Sequence, residues 1–150
     1  MTAVVINGSP KKRGHVGKLC KRFGVPVVHL TDGIERAYLE IMKADVIVFA
    51  TPVFWFNVSA LMKALLERMP ESPQFPLEGK TAYFFAVCDE DGGQQAINQM
   101  MGPLNHMGFK IPPYACMFYN TKIARKSEDE WQIRDVKALG RKLRLLNKSS

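Results

Sequence analysis

The sequence predicts an α/β protein with a five-stranded parallel sheet in the order 2-1-3-4-5 and helices on both faces, which makes three layers. Apolar runs of strand length recur at residues 2–7, 25–30, 45–51, 80–88 and 114–119. Segments in which apolar residues have helical spacing lie between these runs. This alternation favours parallel strands, because parallel neighbours need crossover connections, and those are almost always right-handed.

Length and composition indicate one domain over residues 1–150. Of these residues, 47% are hydrophobic, which is enough for a core that folds alone. The longest apolar stretch, residues 44–56, is interrupted by Asp45 and Pro52, so no segment reaches the roughly 20 apolar residues of a membrane span. The amino terminus is typical of a strand and not of a signal peptide. We therefore expect a cytoplasmic protein that does not associate with membranes.

The first predicted strand runs directly into a loop of small residues and positive charges. Residues 3–6 are all apolar, as in a strand buried on both faces, and the Gly-Ser-Pro at residues 8–10 favours a sharp turn. The N–H groups that open a following helix attract an anion, and Lys11, Lys12 and Arg13 add full charges. We predict a phosphate-binding loop here. The alternative is a tight turn with a solvated basic flank.

Three residues of this loop suit contact with a phosphate. Ser9 offers a hydroxyl and an N–H, Gly14 allows close approach of the backbone, and His15 can donate a ring N–H. The loop lacks the Gly-Lys-Ser/Thr ending of nucleoside triphosphatases and the spacing of the dinucleotide fingerprint. The phosphate of a mononucleotide is therefore favoured.

A second candidate loop follows the third strand. Residues 52–57, Pro-Val-Phe-Trp-Phe-Asn, contain three successive aromatic side chains. Core packing could account for any one of them, but three in a row cannot all point inward on an alternating backbone. At least one is therefore expected to be partly exposed or to cover a ligand, and a flat aromatic ligand suits this surface.

The third candidate loop, residues 88–93, follows the fourth strand and reads Cys-Asp-Glu-Asp-Gly-Gly. The predicted strand order places it at the same sheet edge as the other two loops. Its glycines allow the backbone to lie close to a ligand, whereas its three acids disfavour a phosphate there. The acids could cap the next helix or set the local potential. The alternative is an ordinary acidic turn.

The charge distribution favours anionic small molecules over nucleic acid. The net charge is +7, with basic residues concentrated in residues 11–22 and 134–148. No helix-turn-helix, zinc-finger or RNP-type motif accompanies these charges, so solvated helix faces explain them better than a nucleic-acid site.

Cysteine and histidine positions argue against a metal or a disulfide framework. The three cysteines are far apart without a Cys-x-x-Cys pair, and the three histidines lack ligand spacing. We predict small buried thiols and no metal site. Since no catalytic triad or paired carboxylate motif is present either, we predict no catalytic side chain and expect a bound cofactor to supply the reactive group.

Three features predict helix ends. Asp32 with Glu35 and Ser127 with Glu130 have the spacing of capping boxes before the second and the last helix. Met107-Gly108 is a typical helix stop.

Two segments resemble the flavodoxin-like NAD(P)H-dependent FMN reductases, a family that includes quinone reductases, azo-compound reductases and iron–sulfur flavoproteins. Residues 7–19, NGSPKKRGHVGKL, are similar to the family's Gly-Ser-Pro-Arg phosphate loop. Residues 50–68, ATPVFWFNVSALMKALLER, closely resemble its flavin-ring segment. Weaker similarity extends to residues 139–141, so the resemblance covers nearly the whole chain and implies a flavodoxin-like three-layer sandwich.

This resemblance implies FMN as cofactor and NAD(P)H as hydride donor, with a flavin, a quinone or a similar planar molecule as acceptor. It also implies a homodimer with the flavin near the interface. Together with Arg13 from the basic run, the residues expected to bind the cofactor are Ser9, Lys11, Gly14, His15 and Val16 at the phosphate, Pro52, Val53, Phe54, Trp55, Phe56 and Asn57 at the ring, and Asp89, Gly92 and Gly93 at another ring edge.

The chain departs from the family pattern at Val16, where Thr is common, and in the shortened region of residues 15–36, and it lacks the cysteine cluster of the iron–sulfur members. It also lacks the Thr-rich phosphate loop of the flavodoxin carriers and is basic where those carriers are typically acidic, so a reductase is favoured over a dedicated carrier. Two alternatives to a reductase stay open. One is a noncatalytic FMN-binding or electron-transfer module. The other is a basic interaction protein on the same scaffold that has lost its ligand.

Overall fold

The computed structural model describes residues 1–71, 77–122 and 130–148, and its five strands form one sheet in the order β2-β1-β3-β4-β5. All neighbouring strands are parallel. The strands are β1 (Ala3–Asn7), β2 (Val27–His29), β3 (Val46–Pro52), β4 (Thr81–Cys88) and β5 (Cys116–Asn120). The predicted fold class and strand order are confirmed, and each apolar run contains most of one strand.

In the described part of the chain, the sheet is covered by helices α1 (His15–Cys20), α2 (Ile34–Lys43), α3 (Ala60–Arg68), α4 (Gly93–His106) and α5 (Glu130–Lys148). Helix α5 packs against the 3₁₀ turn Lys21–Phe23 that continues α1, whereas α3 contacts both α2 and α4. Two further 3₁₀ turns, Leu30–Asp32 and Met69–Glu71, follow β2 and α3. The helices thus form two layers with the sheet between them.

The central strands are buried on both faces, as their uninterrupted apolar sequence requires. Every residue of β1 is buried, and β3 is buried from Val46 to Thr51. The ring of Phe49 stacks on Phe84 and meets Phe109 edge-on, with centroids 6.5 and 5.9 Å apart. This core fixes the carboxyl ends of β1, β3 and β4, where the three candidate loops begin.

The predicted capping box before α2 is wrong. Helix α2 starts after Gly33, whose φ of 118° places it at the N-cap without a side-chain cap. Asp32 belongs to the preceding 3₁₀ turn and pairs with Lys12, and Glu35 pairs with Arg68. Both acids are therefore used in ion pairs between elements.

The predicted stop after α4 is confirmed. The helix ends at His106, Met107 is the C-cap, and Gly108 has a φ of 87°. This left-handed conformation is the one that glycine adopts readily at a helix end. The Ser127 and Glu130 arrangement lies outside the described residues.

The three cysteines are free, and Cys20 and Cys88 are buried as predicted, whereas Cys116 is partly buried. Burial raises the pKa of the Cys20 thiol far above its ordinary value, so it behaves as a small apolar side chain. Among the described residues, no helix is long and apolar enough to cross a membrane.

Candidate functional site

A cavity of about 290 Å³ lies at the carboxyl edge of the sheet. The loops after β1, β3 and β4 all contribute to it, as the strand order requires. Its lining residues are Ser9, Pro10, Lys11, Gly14, His15, Val16, Pro52, Val53, Phe54, Val87, Asp89 and Thr121. The structure thus brings nine of the residues predicted for the cofactor together in one cavity, whereas Arg13, Trp55, Phe56, Asn57, Gly92 and Gly93 lie outside its lining.

Hydrogen bonds internal to the loop after β1 fix its shape. The Ser9 N–H donates to Oδ1 of Asn7 over 2.9 Å, and the Lys11 N–H donates to Oγ of Ser9 over 3.1 Å. The Gly14 N–H donates to the Lys11 carbonyl over 3.1 Å. The loop is therefore closed on itself, and the Ser9 hydroxyl stabilises its turn.

The first turn of α1, at the end of this loop, contains backbone N–H groups that are not used within the helix. Gly14 is the N-cap without a side-chain cap, and the first helical bond runs from the Lys18 N–H to the Gly14 carbonyl over 3.1 Å. The N–H groups of His15, Val16 and Gly17 therefore have no helical acceptor. The Val16 side chain packs in the core, while its N–H belongs to the first helical turn and has no helical acceptor.

The three cations of the loop have different surroundings. Lys11 lines the cavity. Lys12 pairs with Asp32, and this hydrogen bond holds the pKa of the Asp32 carboxyl below its usual range. Arg13 is exposed. Lys11 is thus the cation that an anion in the cavity would meet.

The aromatic segment after β3 forms a type I′ turn. The Phe54 N–H donates to the Asn57 carbonyl and the Asn57 N–H to the Phe54 carbonyl, each over 3.0 Å. Trp55 and Phe56 have φ values of 47° and 63°, in a conformation that usually takes Asn-Gly. Phe54, Trp55 and Phe56 are 49%, 90% and 45% exposed, which confirms the expectation of exposed aromatic side chains.

Helix α4 supports this turn. Nε2 of Gln99 donates to Oδ1 of Asn57 over 2.9 Å, and the Val58 N–H donates to Oε1 of Gln99 over 3.2 Å. A Cβ on Gly92, whose φ is 89°, would lie 2.9 Å from Cα of Phe56. Gln99 was not among the predicted site residues, because its role depends on the packing of α4 beside the turn.

Ser59 joins the aromatic segment to the phosphate loop. Ser59 is the N-cap of α3, and its Oγ accepts a hydrogen bond from the Met62 N–H over 3.1 Å. The same hydroxyl donates to the Gly8 carbonyl over 2.6 Å. The Ser59 N–H donates to Oγ1 of Thr51 over 3.0 Å. A serine directly before a helical run is a common N-cap, so the sequence itself carries a signal for this role of Ser59.

The acidic loop is tied to the end of β5. Asp89 lines the cavity and accepts a hydrogen bond from the Thr121 hydroxyl, and Thr121 lines the cavity as well. Oδ1 of Asp91 accepts from the Gly92 N–H over 2.7 Å. The acids therefore stabilise the loop. Thr121 was not predicted, because its place depends on how β5 pairs with β4.

The two glycines of this loop serve packing between elements. A Cβ on Gly93 would lie 2.8 Å from Cδ1 of Phe118 on β5, and Gly92 packs against Phe56 and Val53. Both positions therefore exclude larger side chains. The predicted approach of these glycines to a cofactor stays a prediction.

The lining combines groups that suit an anion with apolar side chains. Lys11 and the first turn of α1 belong to the first kind, and Pro52, Val53 and Phe54 to the second. A doubly wound parallel sheet in the order 2-1-3-4-5, with a cavity at its carboxyl edge, defines the class of flavodoxin-like proteins.

Comparison with known proteins narrows this class. The sequence profile of the NADPH-dependent FMN reductases matches residues 27–122. Since the match covers more than half of the chain, the protein belongs to the NADPH-dependent FMN reductase family. The predicted resemblance is confirmed.

Individual relatives agree with the family. The chain is 27% identical over 129 residues to YwqN of Bacillus subtilis (strain 168), named an NAD(P)H-dependent FMN-containing oxidoreductase, with 79% of this chain and 67% of that protein covered. The fold superposes on RosB with bound 8-demethyl-8-formylriboflavin-5'-phosphate at a TM-score of 0.77 and 16% identity, covering 99% and 81% of the two chains. The Trp repressor binding protein of Bacillus subtilis gives a TM-score of 0.75 at 24% identity, covering 92% and 97%.

A further sequence match covers only a small part of the matched protein. The chain is 26% identical over 92 residues to the divalent metal cation transporter MntH of Mycobacterium bovis (strain ATCC BAA-935 / AF2122/97), covering 57% of this chain and 14% of the transporter. The chain therefore spans only a small part of that relative.

Proposed function

We propose that the protein is an FMN-dependent oxidoreductase that uses NAD(P)H to reduce a flavin, a quinone or a similar planar acceptor. One observation carries the proposal: a single cavity joins the N–H donors of the first turn of α1 to the aromatic segment after β3. FMN supplies the electron-transfer chemistry when bound. The chain therefore needs to bind and orient its ligands, and it needs no reactive side chain of its own.

The residues of the cavity divide between the two ends of the cofactor. Lys11 and the N–H groups of His15 and Val16 would hold the phosphate, because they are the cation and the donors available there. Pro52 to Phe54 would contact the ring. The volume of about 290 Å³ lies just below the roughly 300–1,000 Å³ typical of ligand sites, so a bound ring would extend beyond the cavity toward the exposed aromatic turn.

Anaerobic stopped-flow spectroscopy tests the reaction. Protein loaded with FMN is mixed with NADPH or NADH, and flavin absorbance is followed before a quinone or free flavin is added. We expect bleaching by a reduced nicotinamide and recovery with the acceptor. Bound FMN that neither nicotinamide reduces would instead support the noncatalytic FMN module, and failure to bind FMN would support a scaffold that has lost its ligand.

Replacing Ser9 and His15 together with Ala should weaken FMN binding at least about tenfold, a loss of about 1.4 kcal/mol. Ser9 fixes the loop, and His15 lines the phosphate end of the cavity. Quenching of FMN fluorescence measures the affinity, with His106→Ala at the exposed end of α4 as control. Unchanged affinity in the double variant would place the phosphate elsewhere.

Trp55→Asn should stabilise the fold by about 1 kcal/mol while slowing the reduction of planar acceptors. Trp55 is 90% exposed with a φ of 47°, so Asn relieves backbone strain at little cost in packing. Urea denaturation measures the stability. Tyr114→Asn is a matched control, because Tyr114 is 97% exposed with a φ of 59° but, unlike Trp55, does not belong to the turn whose Phe54 lines the cavity. Equal kinetics in the two variants would remove Trp55 from the reaction.

A homodimer with this turn at its interface is also part of the proposal. Three neighbouring side chains, Phe54, Trp55 and Phe56, expose apolar surface beside the cavity, and a second copy would cover it. Light scattering after size exclusion should give twice the monomer mass, and Trp55→Asn should weaken the dimer more than Tyr114→Asn. A monomer at every concentration would contradict this arrangement.

A cytoplasmic location is proposed on the basis of the thiols. Cys20, Cys88 and Cys116 are all free, as is usual in reducing compartments. Fractionation of cells that express the protein is the direct check.

A further inference from the structure

A short chain of hydrogen bonds connects β2 to the phosphate loop. The parallel register of β1 and β2 places Asn7 beside His29. Nδ2 of Asn7 lies 2.9 Å from Nδ1 of His29, and Oδ1 of Asn7 accepts from the Ser9 N–H over 2.9 Å. Asn7 is fully buried, so its amide has no access to water as a substitute partner. The orientation of this one amide therefore depends on its two neighbours.

The donors and acceptors along the chain determine the state of His29. A backbone N–H can only donate, so the atom of Asn7 that faces Ser9 must be Oδ1. The NH₂ group of Asn7 must then face His29 and donate to Nδ1. Nδ1 consequently carries a lone pair, and the ring proton sits on Nε2. Only a neutral imidazole satisfies this arrangement.

We propose that His29 is a positioning residue for the phosphate loop, whose neutral Nε2–H form holds Asn7 in the orientation that fixes the Ser9 turn. The inference rests on the proposed function, in which this loop binds the FMN phosphate. Protonation of Nδ1 would set a ring N–H against the amide NH₂ and turn the Asn7 amide over. The NH₂ group would then face the Ser9 N–H, and the turn would lose its acceptor.

The groups around His29 agree with a neutral ring. Burial is the largest influence and lowers the pKa of His29 below its ordinary value of 6.5. Asp32, from the turn after β2, raises this pKa, while Lys12 from the phosphate loop and Lys21 at the end of α1 lower it. Asp32 is itself paired with Lys12 and lies 4.0 Å from Arg36 of α2. The ring is therefore uncharged at neutral pH.

The sign of the pH dependence follows from this depressed pKa. The unfolded histidine binds its proton more readily than the folded one, because the folded pKa is lowered. The stability that neutral His29 gives to the ordered loop is therefore fully present above pH 6.5, and it is lost as the pH falls through the folded pKa of His29. Since the ordered loop is the form that binds FMN, protonation of His29 weakens FMN binding. By linkage, FMN lowers the pKa of His29 further.

The first test does not need the cofactor. Nitrogen NMR of histidine-labelled protein without FMN distinguishes the two tautomers and the imidazolium. At about pH 7.5, where an ordinary histidine is neutral, His29 should carry its proton on Nε2. A proton on Nδ1, or an imidazolium, would overturn the hydrogen-bond arrangement. Asn7→Ala should release the tautomer preference, and an unchanged spectrum in that variant would contradict the role of Asn7.

The second test measures FMN affinity between about pH 5 and pH 7.5, the range in which histidine titrates. His29→Asn keeps an acceptor near the position of Nδ1 but cannot titrate, whereas His29→Leu removes the acceptor. His106→Asn is the control. Protonation of the FMN phosphate near pH 6 affects wild type and all variants equally. The difference between their profiles of FMN affinity against pH therefore reports the titration of His29 alone.

Wild type and His106→Asn should lose affinity at low pH more steeply than His29→Asn, whose affinity at pH 7.5 should be within a few-fold of wild type. His29→Leu should bind FMN roughly tenfold more weakly across the range, equivalent to about one unit in log Kd. Identical profiles of FMN affinity against pH for wild type and His29→Asn would overturn the proposed coupling between protonation of His29 and FMN binding. If no variant binds FMN, the proposed function and the coupling both fail, while the NMR spectrum still decides how His29 and Asn7 are arranged.

Discussion

Replacing Gly17 with Ala is expected to displace α1 from the phosphate loop and to weaken FMN binding more than tenfold. A Cβ at this position would overlap the carbonyl oxygen of Lys12 and would lie 2.9 Å from its carbonyl carbon. These are backbone atoms, so they cannot rotate away as a side chain would. The cost of such overpacking is typically about 1–3 kcal/mol. The same methyl would also lie 3.4 Å from Nδ2 of Asn7, which fixes the Ser9 turn.

Chemical denaturation and FMN titration measure both effects, and the chain offers a matched control. Gly102 lies in α4, where an added Cβ has no described atom within 4 Å. Gly102→Ala should therefore stabilise the protein by about 0.5–1 kcal/mol, the usual gain from replacing a helical glycine. A Gly17→Ala variant that gains stability as Gly102→Ala does, with unchanged FMN affinity, would show that α1 and the loop are not in contact as described.

Ser59→Ala is expected to produce the second large effect, a loss of about 2–4 kcal/mol of folding stability together with weaker FMN binding. Loss of an N-cap hydroxyl costs about 1 kcal/mol. Leaving the Gly8 carbonyl without its donor adds the desolvation penalty of a buried acceptor, about 1–3 kcal/mol. Because this bond joins α3 to the phosphate loop, its loss loosens the cavity on two sides.

Ser59→Gly separates the two contributions. Glycine is an acceptable N-cap and costs only a few tenths of a kcal/mol there, so the remaining loss reports the bond to Gly8. We expect Ser59→Gly to resemble Ser59→Ala more closely than wild type in urea denaturation. A Ser59→Gly variant as stable as wild type would show that the bond to Gly8 contributes little.

The sheet could be predicted from the sequence because burial on both faces leaves a direct signal. An uninterrupted apolar run such as Val46–Pro52 suits a central parallel strand better than an amphipathic surface element. The alternation of strands and helices then restricts the strand order. The start of α2 could not be predicted in the same way, because Asp32 is used in an ion pair with Lys12, and Lys12 is distant in sequence.

The exposure of the aromatic segment could be predicted from the sequence, but the turn that causes it could not. Alternation along an extended backbone required at least one exposed ring. The structure exposes three because Trp55 and Phe56 adopt left-handed conformations in a type I′ turn. Neither residue type favours that turn, so local preference gave no indication of it. Contacts from Gln99 and the close fit of Gly92 hold the turn, and these depend on tertiary packing.

The supporting residues of the phosphate loop show where sequence reasoning ends. Ser9 and His15 could be predicted because both lie within residues 7–19, the segment that resembles a phosphate loop. The contact of Asn7 with His29 depends on the register between β1 and β2, and the requirement for Gly17 depends on how close α1 lies to Lys12. Neither the register of the two strands nor the distance between α1 and Lys12 can be read from the spacing of residues along the chain.

We propose that the carboxyl-edge cavity binds FMN through its phosphate. Parallel calorimetric titrations with FMN and with riboflavin, which lacks the phosphate, test it most directly. We expect one FMN per chain, with riboflavin bound at least about tenfold more weakly, a difference of about 1.4 kcal/mol or more. Equal affinity for the two flavins would contradict a phosphate site at the first turn of α1, and the absence of FMN binding would contradict an FMN-dependent function of this protein.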